Sequence, residues 1–380
     1  MKISDIVNVN INGTLAYSAN SAEMNSTAAI LYVSDESGTT DTEWLDYADL
    51  GTGYNGETQI ERAGATYFAN GGVSLLVKRV YQNGVGVTSA DWTDAIFANI
   101  VNDYHTALPV GVKNIQLIWP EAESAPNIRA IAQASVFASN PDQDKILFVT
   151  SNAAPTSLLD IPNVFWHYAT ASTFVNYYES AAAMAYLSKI NYSDDTIRDY
   201  EYTVWAGGAS LVNKIEDLDS GTVEASGKVN YFTTLANRTV LIGGVMTNGT
   251  RLVTHYFEQI LTERITNLLG LLTIQKLNFD QSTYSYLYNV LTIELDKFAN
   301  NGLLNQSFVV PEQRVIFRDD VRYVLAQAGQ IMEFGYIVKV LPPTANDLST
   351  RNYTGIYILL AFANQIKTIE VTGLVLGGTQ

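Results

Sequence analysis

The sequence predicts an α/β fold followed by an α+β portion, and three observations carry that expectation. Between residues 28 and 189, short apolar runs of strand length alternate with helix-length segments, the succession that builds a mostly parallel sheet with helices on both faces. Beyond residue 200 the order changes to short strands, two long amphipathic helices and further short strands. Both ends of the chain carry extended terminal β-strands on polar tethers: Val7, Val9 and Ile11 alternate with Asn8, Asn10 and Asn12, and Ile369, Val371 and Val375 oppose Thr368, Glu370 and Thr372. Such strands expose rows of backbone donors and acceptors and require partners, either within one subunit or in a neighbouring one.

In chain order, the spacing predicts a strand over 28–33 (AAILYV), a helix over 57–69, a strand over 73–80, a helix over 90–105 capped by Thr88 or Ser89, and a strand over 114–119. A helix over 127–138, strands over 145–150 and 164–168, and a helix over 174–189 continue the alternation. Short strands follow at 200–205, 231–234 and 240–246, with Asn248-Gly249 as a hairpin-type turn. Two long helices are expected over 252–269 and 284–299, because Val253, Phe257, Ile260, Leu261 and Ile265 form one stripe and Leu287, Val290, Leu291 and Phe298 another. Gly302 ends the second. A strand at 308–310, a short charged helix over 319–328, a strand at 336–340 and an exposed loop over 342–352 lead to the last strand-like pair. Its first member, 356–362, is a nearly unbroken apolar run, as in a strand covered on both faces.

Composition sets limits. The 380 residues, 47% of them apolar, suffice for two or three domains with ordinary cores. No basic and apolar leader opens the chain and no apolar run approaches the roughly 18 residues of a membrane span, so neither secretion nor membrane insertion is expected. Cysteine is absent, which excludes disulfides, thiolate metal sites and a cysteine nucleophile. A net charge of -16 argues against a nucleic-acid partner. Its distribution is uneven: residues 300–380 hold six of the 22 Lys/Arg and six of the 38 Asp/Glu, leaving 16 basic against 32 acidic residues in 1–299.

Catalytic chemistry is not indicated. His105, His167 and His255 lie far apart and none has a second histidine three or four residues away, so a metal site is not expected. No G-x-S-x-G elbow places a serine nucleophile. Gly221 to Lys228 (GTVEASGK) has one residue too many between its glycines for a phosphate loop, and Val229 stands where magnesium needs a hydroxyl. The Gly-Gly pairs at 71, 207 and 243 lack dinucleotide-binding spacing, so no cofactor is expected either.

One stretch is more specific. Ala63 to Val80 reads AGATYFANGGVSLLVKRV, a helix ending in an aromatic pair, an Asn-Gly-Gly turn in which Gly71 or Gly72 takes positive φ, and a buried strand. This resembles contractile tail sheath proteins of bacteriophages, as do residues 28–38, the GVMTNG turn at 244–249 before a long helix, and the closing strand pair over 355–375. The resemblance spans essentially the whole chain. It implies a mostly parallel, subtilisin-like but non-catalytic α/β central domain over 28–240, an α+β carboxy-terminal, tube-proximal domain over 241–352, and strand arms over 1–27 and 353–380. The short stretch between Val33 and Glu57 implies the compact form. As function it implies a structural, non-enzymatic virion protein, assembled in the bacterial host cytoplasm. Six-membered rings stack around a tail tube, joined by strands exchanged between subunits, then contract to drive the tube through the envelope for genome ejection and host cell entry. Partners so implied are further copies of the chain, the tube protein, and baseplate and tail terminator proteins. Val7, Val9, Ile11, Ile369, Val371 and Val375 are the expected arm residues, Arg314, Arg318 and Arg322 candidate tube contacts, and 13–27 and the loop before Tyr353 candidate hinges. The alternatives are the sheath of a tailocin or another injection device, and a cryptic α/β hydrolase or ligand-binding protein.

Overall fold

The computed structural model describes residues 27–34, 41–44, 58–73, 75–81, 112–118, 145–151, 163–168, 179–190, 200–201, 203–205, 228, 230–274, 278, 280–318, 320–350 and 353–362. The arm residues Val7, Val9, Ile11, Ile369, Val371 and Val375, the tether over 13–27 apart from Thr27, and the helices expected over 90–105 and 127–138 lie outside these. The chain divides into two compact units, 1–195 with 199–278, and 196–198 with 279–380. The long helix at 252–274 lies in the first of these units.

In the first unit the described strands are β1 (Thr27–Ser34), β2 (Asp41–Trp44), β3 (Leu75–Tyr81), β4 (Val112–Ile118), β5 (Ile146–Ser151) and β6 (Val164–Tyr168). They form one six-stranded sheet in the order β2-β3-β1-β4-β5-β6. All pairings are parallel except β2 with β3, an antiparallel edge. The parallel strands read as apolar runs because both faces are covered: Ile146, Leu147, Phe148, Val164, Phe165 and Trp166 are all buried.

The helix α1 (Thr58–Ala69) ends at the Asn-Gly-Gly turn. Gly72 N–H reaches Tyr67 O and Gly71 N–H reaches Phe68 O, both at 3.0 Å, the paired bonds of a Schellman stop. Gly71 supplies the left-handed φ of +95°. Gly72 is needed for space, since a Cβ there would sit 2.2 Å from the buried Tyr67 ring. Lys189, just past α2 (Ala181–Ser188), donates to Asn70 O at 3.3 Å, placing a cation at the carbonyl end of α1.

Beyond β6, the described residues continue the sheet edge with a single parallel bridge, His167 to Asn230. Asn230, fully buried, donates its side-chain amide to Trp166 O (2.9 Å) and Val245 O (2.8 Å) and accepts from Val245 N–H (2.8 Å). Its backbone pairs with β6 through Asn230 N–H to Trp166 O and Tyr168 N–H to Asn230 O. It thereby ties to β6 the hairpin of β7 (Tyr231–Leu235) and β8 (Arg238–Ile242), whose turn residues Ala236 and Asn237 have φ of 49° and 61°, the mirror-image turn that suits strand twist. The strand expected over 200–205 is reduced to one bridge, Val204 with Val240. In α3 (Leu252–Ile274) every residue of the expected stripe is buried.

The second unit opens with α4 (Gln281–Asn300), capped by Asp280, which accepts from Thr283 N–H at 2.8 Å. Its described strands are β9 (Phe308–Val309), β10 (Arg314–Arg318), β11 (Val321–Ala326), β12 (Ile331–Met332), β13 (Tyr336–Val340) and β14 (Ile356–Leu360), in antiparallel pairs β9/β12, β10/β11 and β13/β14. Val310, Ala326, Met332 and Ala361 form a small core with Phe308, Ile337 and Leu359 against it. The helix expected over 319–328 is a correction: Asp320 has φ of 62°, Arg318 pairs with Val321, and 321–326 is β11. Val321, Tyr323 and Val324 suit a strand, and cross-strand pairing outweighs the charge pattern that suggested a helix.

Candidate functional site

The strands β13 and β14 pair from Tyr336↔Leu360 to Val340↔Ile356. Among the described residues they form a sheet of two strands, so each presents one edge without a strand partner. Every residue of β14 is half-buried, which corrects the expectation of a strand covered on both faces. An apolar run in a two-stranded sheet leaves apolar surface on view.

The segment before β14 also departs from expectation. Instead of an open loop over 342–352, it carries the helix α5 (Ala345–Thr350). Thr344 and Asp347 cap it reciprocally: Thr344 N–H donates to Asp347 Oδ2 (3.0 Å), and Asp347 N–H to Thr344 Oγ1 (3.2 Å). Asp347 is 1% exposed. It also accepts from Thr354 Oγ1 (2.9 Å) and from the guanidinium of Arg318, itself buried. Arg318 Nη1 donates to Pro342 O at 2.5 Å and its guanidinium lies 5.8 Å from the Tyr353 ring centroid. Tyr353 stacks on Tyr284 at 5.9 Å and donates its hydroxyl to Leu341 O. Burial pushes the Tyr353 phenol up, opposed by the Arg318 charge. These polar ties hold the described residues 342–350 and 353–354 together.

The three candidate arginines therefore part company. Arg314 and Arg322 are exposed on the β10/β11 ribbon, Arg322 donating to Gln313 Oε1 at 2.6 Å. Arg318, on the opposite ribbon face from Phe317, is neutralised by Asp347 inside the unit. Burying an arginine next to a carboxylate 29 residues away cannot be read from spacing, although the Thr344-x-x-Asp347 cap pattern was there to be seen.

The histidine chemistry is internal. His167 Nε2 meets Glu179 Oε2 at 2.8 Å, and both residues are 1% exposed. His255 Nε2 lies 2.8 Å from Asn163 Oδ1, and burial pulls its pKa down to about 4. Ser180, next to Glu179, uses its hydroxyl to accept from Gln116 Nε2 at 3.0 Å. None of these groups faces solvent. Among the described residues no cluster of three His, Asp or Glu could hold a metal ion, and no helix is long and apolar enough to cross a membrane. His105 and residues 221–227 lie outside the described residues.

No family model and no curated protein matches this chain. Solved structures do. A chain of the cryo-EM structure of the anti-feeding prophage (AFP) baseplate superposes with a TM-score of 0.62 at 13% identity, with 97% of each chain covered. The AFP helical sheath in its contracted state gives 0.59 at 12% identity over 97% of each chain. A crystal structure of a sheath tail protein from Listeria innocua gives 0.50 at 8% identity, covering 90% of this chain and 96% of that one. At these identities the likeness is one of fold, and it runs nearly end to end.

Proposed function

We propose that this protein is a structural subunit of a contractile tail sheath. It polymerises as stacked hexameric rings around a tail tube, joins neighbouring subunits by strand addition, and contracts to drive the tube through a bacterial envelope. The observation that carries this reading is the near full-length fold likeness to the AFP sheath. Strand β14 adds to it: it is apolar and half-buried, and among the described residues its only strand partner over 356–360 is β13, which suits strand addition. The arms that would exchange are Val7 to Ile11 and Ile369 to Val375, and Arg314 and Arg322 are the basic groups left for a tube surface. The AFP likeness equally favours the sheath of an injection device as the setting, with baseplate and terminator proteins as further partners in either case. A hydrolase is disfavoured because His167, Glu179 and His255 are enclosed.

The test is negative-stain microscopy of the purified chain, in which wide hollow cylinders are expected. Deleting residues 1–12 is expected to leave a soluble, folded subunit that forms no long cylinders. Unimpaired polymerisation after that deletion overturns the strand exchange.

A further inference from the structure

Three Asn-Gly bonds lie among the described residues: Asn70-Gly71, Asn248-Gly249 and Asn301-Gly302. An asparagine in this position can be attacked at its side-chain carbonyl carbon by the next backbone nitrogen, because glycine has no side chain to shield that nitrogen. The glycine N–H is tied in all three, to Phe68 O (3.0 Å), Met246 O (2.8 Å) and Ala299 O (3.4 Å) in chain order. It is the asparagines that differ. Asn70, 8% exposed at the end of α1, donates its Nδ2 to Thr66 O at 2.8 Å, and Asn301, 4% exposed, sits at the end of α4. Asn248 lies instead in the hairpin loop closed by the Val245–Arg251 bridge, half-buried beside the exposed Gly249. Its Nδ2 has no partner among the described residues, and its Oδ1 accepts from Thr250 N–H at 3.0 Å.

We infer that Asn248 is a modification site at which the folded chain deamidates spontaneously, ahead of Asn70 and Asn301. Gly249 N gives its proton to water and bonds to Asn248 Cγ. The carbonyl electrons move onto Oδ1, where Thr250 N–H is already placed to stabilise the oxyanion. Collapse then breaks the Cγ–Nδ2 bond, and Nδ2 takes a proton from water and leaves as ammonia, closing a succinimide ring. One water opens that ring at either carbonyl carbon, giving aspartate or isoaspartate. Water is the only co-reactant, and nothing is oxidised or reduced. The new carboxylate forms near Lys228, whose Cε stands 4.0 Å from where a Gly249 Cβ would be. Isoaspartate adds a carbon to the main chain inside a loop fastened by Met246 N–H to Thr250 O (2.8 Å) and by Thr247 N–H to Val164 O (3.0 Å). The reaction thus records the age of a folded chain and loosens the tie between this loop and β6. It does not depend on the sheath reading.

The experiment incubates the full chain at mildly alkaline pH, folded and in urea, and follows the tryptic peptides 63–78, 239–251 and 298–314, which hold the three Asn-Gly bonds. Mass spectrometry with fragmentation locates each amide-to-acid change. In the folded chain Asn248 is expected to convert at least about tenfold faster than Asn70 and Asn301, which react only when their helix ends open. In urea the three are expected to agree within about threefold, since only the shared Asn-Gly chemistry is left. Chains carrying isoaspartate at 248 are expected to exchange the Thr247 amide at least about tenfold faster than unmodified ones. Equal rates in the folded chain, or a lead for Asn70 or Asn301, overturn the assignment. So does a folded chain that stays unmodified at 248 while the urea sample converts. Unchanged exchange at Thr247 overturns the loosening.

Discussion

Asn230 offers the most direct test of how the first unit is closed. Its side chain makes three buried hydrogen bonds, to Trp166 O, Val245 O and Val245 N–H, all between 2.8 and 2.9 Å. Replacing it by Ala removes all three and strands the amide of Val245, a residue only 6% exposed. At about 1 kcal/mol net for each of the three bonds plus about 1–3 kcal/mol for the stranded group, the expected loss is about 4–6 kcal/mol. That is a large share of the stability of an ordinary domain. Asn230→Asp separates the contributions. It retains the acceptor for Val245 N–H but turns a second oxygen toward two carbonyls. The buried carboxylate's pKa is then raised, so the native state holds a proton that the unfolded chain releases, and the deficit shrinks as pH falls below the folded value. Urea unfolding followed by circular dichroism, at neutral and acid pH, measures both. A loss under about 1 kcal/mol for Asn230→Ala, or an Asp variant with the same stability as the parent at neutral pH, would refute the account of this edge.

Other expectations are open to equally simple measurements. Burial lifts Glu258 to about 7, so stability drains as pH rises from 4.5 to 7, whereas His255, held near 4, costs stability as pH falls from 6.5 to 4. The two slopes oppose each other between pH 4.5 and 6.5. In Glu258→Gln only the histidine slope remains, and stability is expected to climb with pH across that window by up to about 3 kcal/mol, read from thermal midpoints. Gly72→Ala drives a methyl into the buried Tyr67 ring and is expected to cost about 1–3 kcal/mol. Gly71→Ala strains φ instead and meets the flexible Lys189 side chain, so its midpoint should fall by less.

Much of the architecture was legible in the sequence. The strands at 164–168 and 336–340 were expected with the bounds they have, the Asn-Gly-Gly stop was expected to use a left-handed glycine and does so at Gly71, and the stripe from Val253 to Ile265 is buried throughout. These features follow from neighbours along the chain: apolar periodicity, the dihedral freedom of glycine and the length of a run are local properties. Tertiary structure alone decided the rest. The charged stretch after Arg318 yields a strand rather than a helix because Val321 to Ala326 pair with β10, and Arg318 became an internal tie because Asp347 folds back over 29 residues to meet it. The run at 356–360 is apolar whether it lies in a core or at an open edge, so only its surroundings could reveal that β14 is half-covered. A side chain's preferences are written in its own chemistry and its near neighbours, but its partner is set by where the rest of the chain comes to lie.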